Sequence, residues 1–558
     1  MGMRFANTLL AVSAALLVGG AGTAFAQPAN CGDVNNDGQI TGADTSALQA
    51  GTISTQCAAT NCADVNASGG VELGDQVVLS RFLAGGGTKA EPGRSQGEQN
   101  LLYKLCTGQG TPAACASTPA TAITGRQTAN LTIPGRAQGC TDFYIKGRLT
   151  IANNSTLTVL PGVVVHGVKN PADPAMILIT RGSHIKADGS TDPIIFTSDQ
   201  AAGARASGDW AGIVINGFAP ENIVGEGSSE GLPPGGDSAY GGNNENAFTA
   251  FMRFVRVEFS GIIIGEANET NIFTQNSLGR LSVMENLQAH HGADDCFEWF
   301  GGYVREKFLV ASACGDDALD WQIGYQGQAD PATTPLAAVQ FALVTQDGAS
   351  VGSDPDAHGL EADNSEFGFD LQKRSAPYFC NITAVGGSAT GGPANTGDGA
   401  RFRRGTAGRI ENSIFENWLS DGIDFRDTPS TRLDVAPIVN AFGNGMTSCT
   451  GDATQCADVT TTGSSSLAGP LTYPTDGPVM CDGAGNIVDN RYIPAAPIAA
   501  PDDCRTADPS FFSSAPYVGA FGAPFGNWLG AKKCCPPGQP FANNGPGGTR
   551  CWLSFDRN

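Results

Sequence analysis

A short acidic phrase occurs twice in this chain, 22 residues apart. Ala293-Asp294-Asp295-Cys296-Phe297-Glu298-Trp299 is followed by Gly315-Asp316-Asp317-Ala318-Leu319-Asp320-Trp321. The register holds outside the phrase, with Leu287 matching Leu309 and Tyr303 matching Tyr325. A period near 22 residues is about one coil of a parallel β-helix, in which matched residues stack on rungs about 4.8 Å apart. Weaker copies continue the series as His358-Gly359-Leu360-Glu361, Asp398-Gly399-Ala400-Arg401-Phe402 and Asp421-Gly422-Ile423-Asp424-Phe425. The steps between successive copies are 22, 41, 40 and 23 residues, and the two near-double steps predict loop insertions. A sandwich has no reason to keep such a register.

Composition agrees. Charged residues make up 15% of the 558, and Gly accounts for 75 of them. Long solvated helices need Glu, Lys and Arg on their outer faces, so an all-β chain with Gly-, Asn- and Asp-rich turns is favoured. From about Tyr144 short apolar strands appear, such as Leu149-Thr150-Ile151, Val163-Val164-Val165 and Ile177-Leu178-Ile179. The expected fold is a right-handed parallel β-helix over 140–445, preceded by a linker and N-terminal cap at 88–139. Residues 446–558 hold seven of the 16 Cys and read as a Cys-rich cap and tail. The net charge of −22 excludes nucleic acid as a partner, because phosphate binding needs clustered positive charge.

Residues 1–26 read as a secretory signal, with Arg4, an apolar run from Leu9 to Ala21, and Ala24-Phe25-Ala26 as the cleavage site. The mature chain is expected to be exported or on the cell surface, with no transmembrane anchor. An even number of Cys in an exported chain reads as a disulfide framework of open connectivity.

Between 31 and 87 lie two Asp-rich loops with Ca²⁺-ligand spacing. The first offers Asp33, Asn35, Asp37, Gln39 and Asp44. The second offers Asp64, Asn66, Ser68, Gly70 and Asp75, so Ser68 stands where the first loop has Asp37. Oxygen donors at positions 1, 3, 5, 7 and 12 around a sharp Gly turn suit a hard cation. Each loop precedes an apolar helix-like run, Ser46 to Ala50 and Val77 to Leu83. The pair resembles the type I dockerin doublet, which implies one Ca²⁺ per loop and a cohesin-like partner or another cell-surface component.

The later part of the chain resembles a family of secreted bacterial right-handed β-helix proteins that mostly lack an assigned activity. Leu160-Pro161-Gly162, the phrases at 193–198 and 208–217, Val255-Arg256-Val257-Glu258-Phe259, and Tyr517-Val518-Gly519-Ala520-Phe521 carry the likeness. It implies a fold and an export route, and no reaction.

Stacked carboxylates from Asp294, Asp295, Glu298, Asp316, Asp317 and Asp320 repel one another unless a cation, an Arg or a proton compensates. Ca²⁺ fits such a set of oxygens. Because the phrase repeats while a catalytic site is needed once, the favoured role is structural, with these Asp residues bonding the backbone of adjacent coils. An enzyme reading stands beside it. Gly292-Ala293-Asp294-Asp295-Cys296, His358-Gly359 and Arg401-Phe402-Arg403 resemble the motif order of polygalacturonase-type glycoside hydrolases. That likeness implies Asp294 or Asp295 as general acid and its partner as base, with Asp317 in the same set. His358, Arg401 and Arg403 would hold the uronate. The stretch from Asp295 to His358 is far longer than one coil, which counts against it. A pectate-lyase-like variant would place Ca²⁺ on the acidic ladder and use Arg401, Arg403 or Arg404 as base. His290 and His291 point to opposite faces of a strand and are expected at a turn or in solvent. Trp299 and Trp321 are expected to stack inside the core.

The functional expectation is an exported, Ca²⁺-binding scaffold that binds polysaccharide; the alternative is a polysaccharide hydrolase or lyase. Chelation of Ca²⁺ from the full-length protein is expected to speed proteolysis within residues 31–87. An unchanged cleavage pattern there on adding chelator would remove the calcium-loop assignment.

Overall fold

In a computed structural model, the structure describes residues 34, 42–50, 112–265, 268–326, 337–346, 356–386, 397–416, 418, 420–426, 438–442, 449–451, 456, 499–500, 503–508, 511–522, 528 and 551–554. Among them, 23 strands form one sheet whose strand pairings are parallel, joining each coil to the next.

Every coil has three straight sides. Side I runs through Leu131–Ile133, Thr156–Val159 and His184–Asp188, then the first halves of Ala250–Glu258, Val283–His290, Arg305–Ser312, Ala338–Thr345, Tyr378–Val385 and Arg409–Glu416. Side II contains Val164–Gly167, Ile194–Ser198 and the second halves of those long strands. Side III stacks Met176–Ile179, Ile213–Asn216, Phe273–Asn276, Phe297–Phe300, Leu319–Gln322, Leu360–Asp363, Ala400–Arg403, Ile423–Phe425 and Cys449–Thr450.

The corner between sides I and II is made by one residue per coil in the left-handed region. Phe254, Asn286, Phe308, Phe341, Asn381 and Asn412 all have φ between 50° and 65° and lie in register. Asn tolerates this conformation, whereas Phe rarely adopts it. Ring packing offsets the strain: Phe308 stacks on Phe341 at 5.2 Å, and Phe254 meets Trp552 edge-on at 5.8 Å.

Inside the coils, side chains of one type sit over their own kind. Trp299 pairs in register with Trp321, and both are fully buried. Phe273 stacks on Phe297 with centroids 5.0 Å apart, and Trp299 on Tyr325 at 5.3 Å. Cys296 and Cys314, also buried, are joined by a disulfide. Further disulfides link Cys115–Cys140, Cys380–Cys504 and Cys449–Cys456.

The repeated Asp forms a ladder. Asp317 N–H donates to Asp295 Oδ1 at 2.8 Å, and His358 N–H donates to Asp317 Oδ1. Asp398 N–H then donates to His358 Nδ1 at 2.7 Å, and Asp421 N–H to Asp398 Oδ1 at 3.0 Å. Thus His358 takes an Asp position. It lies one rung from Asp317 and two from Asp295, because Leu319–Gln322 pairs directly with Leu360–Asp363. The 63 residues from Asp295 to His358 therefore cover two rung steps, in line with the near-double step of 41 residues between Asp317 and His358. Glycines follow the ladder residues closely, since a Cβ on Gly359 would stand 2.4 Å from Gly399 O.

At the N-terminus, helix Gly42–Ala50 follows the first Asp-rich loop, and Val34 N–H donates to the buried Asp44 carboxylate at 2.9 Å. Asp33, Asn35, Asp37 and Gln39 lie outside the described residues, as do Asp64, Asn66, Ser68, Gly70 and Asp75. No helix among the described residues is long and apolar enough to cross a membrane.

Replacing Asp295 by Ala strands the buried Asp317 N–H and is expected to destabilise the fold by about 1–3 kcal/mol. A lowered thermal midpoint in Asp295→Ala, with Asp295→Asn much closer to the parent, is the outcome to measure. Equal midpoints for the parent and the Ala variant would remove the ladder from the stability account.

Candidate functional site: a buried carboxylate column on side III

Side III alternates inward and outward residues, as a strand must. Phe297, Trp299, Leu319, Trp321, Leu360 and Phe402 face the core. The alternate positions project outward, and one register column there reads Thr274, Glu298, Asp320, Glu361, Arg401, Asp424. Outward does not mean exposed: Glu298, Asp320, Glu361, Arg401 and Asp424 are all buried.

The lower half of this column is acidic. Three overlapping triads, Asp294/Asp295/Asp316, Asp295/Glu298/Asp320 and Asp317/Asp320/Glu361, each bring donor atoms within 4.8 Å of one another. The ladder holds Asp295 and Asp317 in place, while Glu298 is oriented by neutral amides. Gln322 Nε2 donates to Glu298 Oε1 at 2.8 Å, and Asn271 Nδ2 donates to Oε2. Asp320 Oδ1 is buried without a hydrogen-bond partner. Burial pushes Asp295, Glu298, Asp317 and Asp320 well above the usual carboxylate range, and neighbouring carboxylates push further. Asp294 is raised in the same way, by burial and then by Asp316.

The upper half is compensated by arginines. Arg403 bonds Asp363 at 2.9 Å and also Glu361, while Arg404 reaches Asp363 at 2.9 Å. Arg401 pairs with Asp356 at 2.6 Å and Asp398 at 2.9 Å. Burial outweighs Arg403 at Glu361, whose carboxyl is pushed up to about 8. Burial, then Arg401, pushes His358 down to about 3, so its ring is neutral and Nδ1 is free to accept the Asp398 N–H.

The sequence-predicted residues therefore divide. Asp294, Asp295 and Asp317 do come together, and His358, Arg401 and Arg403 gather one or two rungs above. Asp295, Asp317 and His358 are engaged by backbone N–H groups, and the arginines by carboxylates. The two adjacent histidines are not solvent-facing: His290 shares a hydrogen bond with Ser312 Oγ at 2.8 Å, and buried His291 stacks on Phe259 at 5.3 Å. His291 does sit at a left-handed corner, with φ 54°. Sequence reading missed Asn271, Gln322, Asp356 and Asp363. It also missed Glu230, which burial and then Glu269 push up to about 8. Asp363 lay two residues beyond Glu361 in a repeat copy; Glu230 and Asn271 carry no repeat signal.

A hard divalent cation fits the acidic half, where several carboxylate oxygens converge and one buried oxygen lacks a partner. Asp295, Glu298 and Asp320 would hold it, or Asp317, Asp320 and Glu361 one rung on, with Asp320 common to both.

No curated protein sequence matches the chain. Among solved structures, the A-module of the mannuronan C-5 epimerase AlgE4 from Azotobacter vinelandii is similar at 12% identity and a TM-score of 0.27, covering 60% of this chain and 85% of that one. Residues 132–467 match the family described as the pectate-lyase-like β-helix domain. That match takes in more than half of the chain and coincides with the stacked coils, so the protein belongs to the pectate-lyase-like β-helix family.

Proposed function

We propose that this protein is an exported, Ca²⁺-binding β-helix that binds polysaccharide at the cell surface or in the surrounding matrix as a scaffold. The observation that carries the non-catalytic reading is the ladder: Asp295, Asp317 and His358, three of the candidate residues, each hold a backbone N–H of the next rung. General acid or base catalysis needs a carboxyl or imidazole within reach of a reacting proton. Asp295, Asp317 and His358 each commit one acceptor atom to buried backbone. Membership of a pectate-lyase-like family supports a carbohydrate ligand. The signal-like segment at 1–26 supports export, and the dockerin-like pair at 31–87 supports attachment through a cohesin-like partner.

Calcium has two proposed places, the N-terminal loops and the side III column. In the column the ion would neutralise carboxylates that burial otherwise forces to stay protonated.

The test is a polysaccharide panel, with and without Ca²⁺, read for both retention and cleavage products. Retention without products is the expected result. Cleavage of a polyuronide by the parent, lost in a folded Asp295→Asn variant, would establish the hydrolase or lyase reading instead.

A pH series tests the column. A carboxyl whose folded-state pKa is raised gives stability at low pH that is lost as pH rises through that value. Glu361, shifted from 4.5 to about 8, places this window at pH 4.5 to 8. In chelator the thermal midpoint is expected to fall across it, and added Ca²⁺ to restore it in the parent but not in Asp320→Asn. Equal Ca²⁺ rescue of both proteins would place the ion elsewhere.

A further inference from the structure

At the other end of side III, over the first coils, lies a cavity of about 1050 Å³. Its floor is Arg148, Thr150 and Met176, the outward residues of the early side III strands. The hairpin strand Ile262–Gly265 overhangs it, together with Leu232. Met176, Leu232 and Ile262 pack into a small aliphatic cluster with Leu178 and Val214. Ile263 and Ile264 line the cavity yet remain 53% and 49% exposed. Two adjacent large aliphatic side chains left half open beside a cavity point to an apolar occupant. No aromatic ring lines the cavity among the described residues, and the stacking surface that sugar rings favour is therefore missing.

The charges narrow the occupant further. Lys169 is closed on Asp209 at 2.6 Å, and Arg126 on Asp237 at 2.9 Å. Arg148 and Asp173, both exposed lining residues, make no ion pair among the described residues. They stand at the same mouth: a Cβ on Gly147, the residue before Arg148, would meet Asp173 Oδ2 at 2.5 Å. An occupant that satisfies this arrangement has an aliphatic body and a head carrying both signs. A head that is only anionic would also work against the net charge of −22.

We propose that this cavity binds a single-chain zwitterionic amphiphile. The anionic part of the head pairs with Arg148, the cationic part faces Asp173, and the chain lies along Met176, Leu232 and the three isoleucines. Burying an alkyl chain there covers the exposed face of Ile264, on the same side of the strand as Ile262, and this apolar burial contributes to binding. The cavity's lining contains none of Glu298, Asp320 and Glu361, though it reaches Ala293 beside Asp294, and the proposal does not depend on the polysaccharide reading.

The probe is dodecylphosphocholine, titrated below its micelle-forming concentration into the full-length protein by calorimetry. Saturable binding at one site per chain is expected. Arg148→Gln and Asp173→Asn should each weaken it about tenfold, as loss of one charge-assisted contact does. Ile264→Ser should weaken it by a similar factor, about tenfold, through lost apolar burial. Dodecyl maltoside, with the same chain and a neutral sugar head, should bind at least about tenfold more weakly. All three replaced residues have solvent-exposed side chains, so thermal midpoints should match the parent and report folding. Three results would each overturn the proposal: no saturable binding, affinity unchanged in Arg148→Gln, or dodecyl maltoside binding as tightly. Displacement of the probe by a detergent-free oligosaccharide would assign the cavity to sugar instead.

Discussion

The fold depends on one side-chain-to-backbone hydrogen bond, repeated from rung to rung at the turn into side III. A parallel coil must turn three times per circuit, and at each turn backbone N–H groups leave the regular ladder of sheet bonds. Buried and unpaired, each would cost about 1–3 kcal/mol. Asp295, Asp317, His358 and Asp398 each accept one such N–H from the coil that follows. This fixes the stacking register, and the register in turn puts Trp299 over Trp321 and Phe273 over Phe297. His358 can serve only while neutral, which burial beside Arg401 ensures.

The same register creates the electrostatic problem of side III. Once the inward positions are aligned for packing, the outward ones align as well, and Glu298, Asp320 and Glu361 are placed in one column. Farther along, arginines answer the carboxylates. Around Asp295, Glu298 and Asp320 the partners are neutral amides or none. Protonation or a bound cation is what remains to neutralise that group, and the two respond oppositely to rising pH.

Much of this was legible in the sequence because a solenoid repeats its chemistry at the spacing of its coils. The 22-residue offset placed Trp299 and Trp321 in register and assigned both to the core. It also aligned the ladder residues across unequal steps of 22, 41, 40 and 23 residues. His358 fell into this series despite the 41-residue step before it, since chain length between rungs says nothing about the distance between them. The burial of the side III carboxylates was not legible, because strand alternation distinguishes inward from outward and not covered from open. Phe254, Phe308 and Phe341 at left-handed corners run against residue preference, so no local signal marks them. Glu230 and Asn271 reach the column from an excursion and a corner where the repeat is silent.

The C-terminal stretches give the solenoid a property that stacking alone does not. Ser554 bonds Gln288, Ser513 bonds Gln340, Tyr517 bonds Asn381, and Gly519 bonds Asn412, while Cys504 is disulfide-linked to Cys380. These anchors follow the I–II corner across five coils. A stack whose coils touch only their neighbours frays from its ends, one coil at a time. A strap that grips many coils makes opening any one of them disturb the rest.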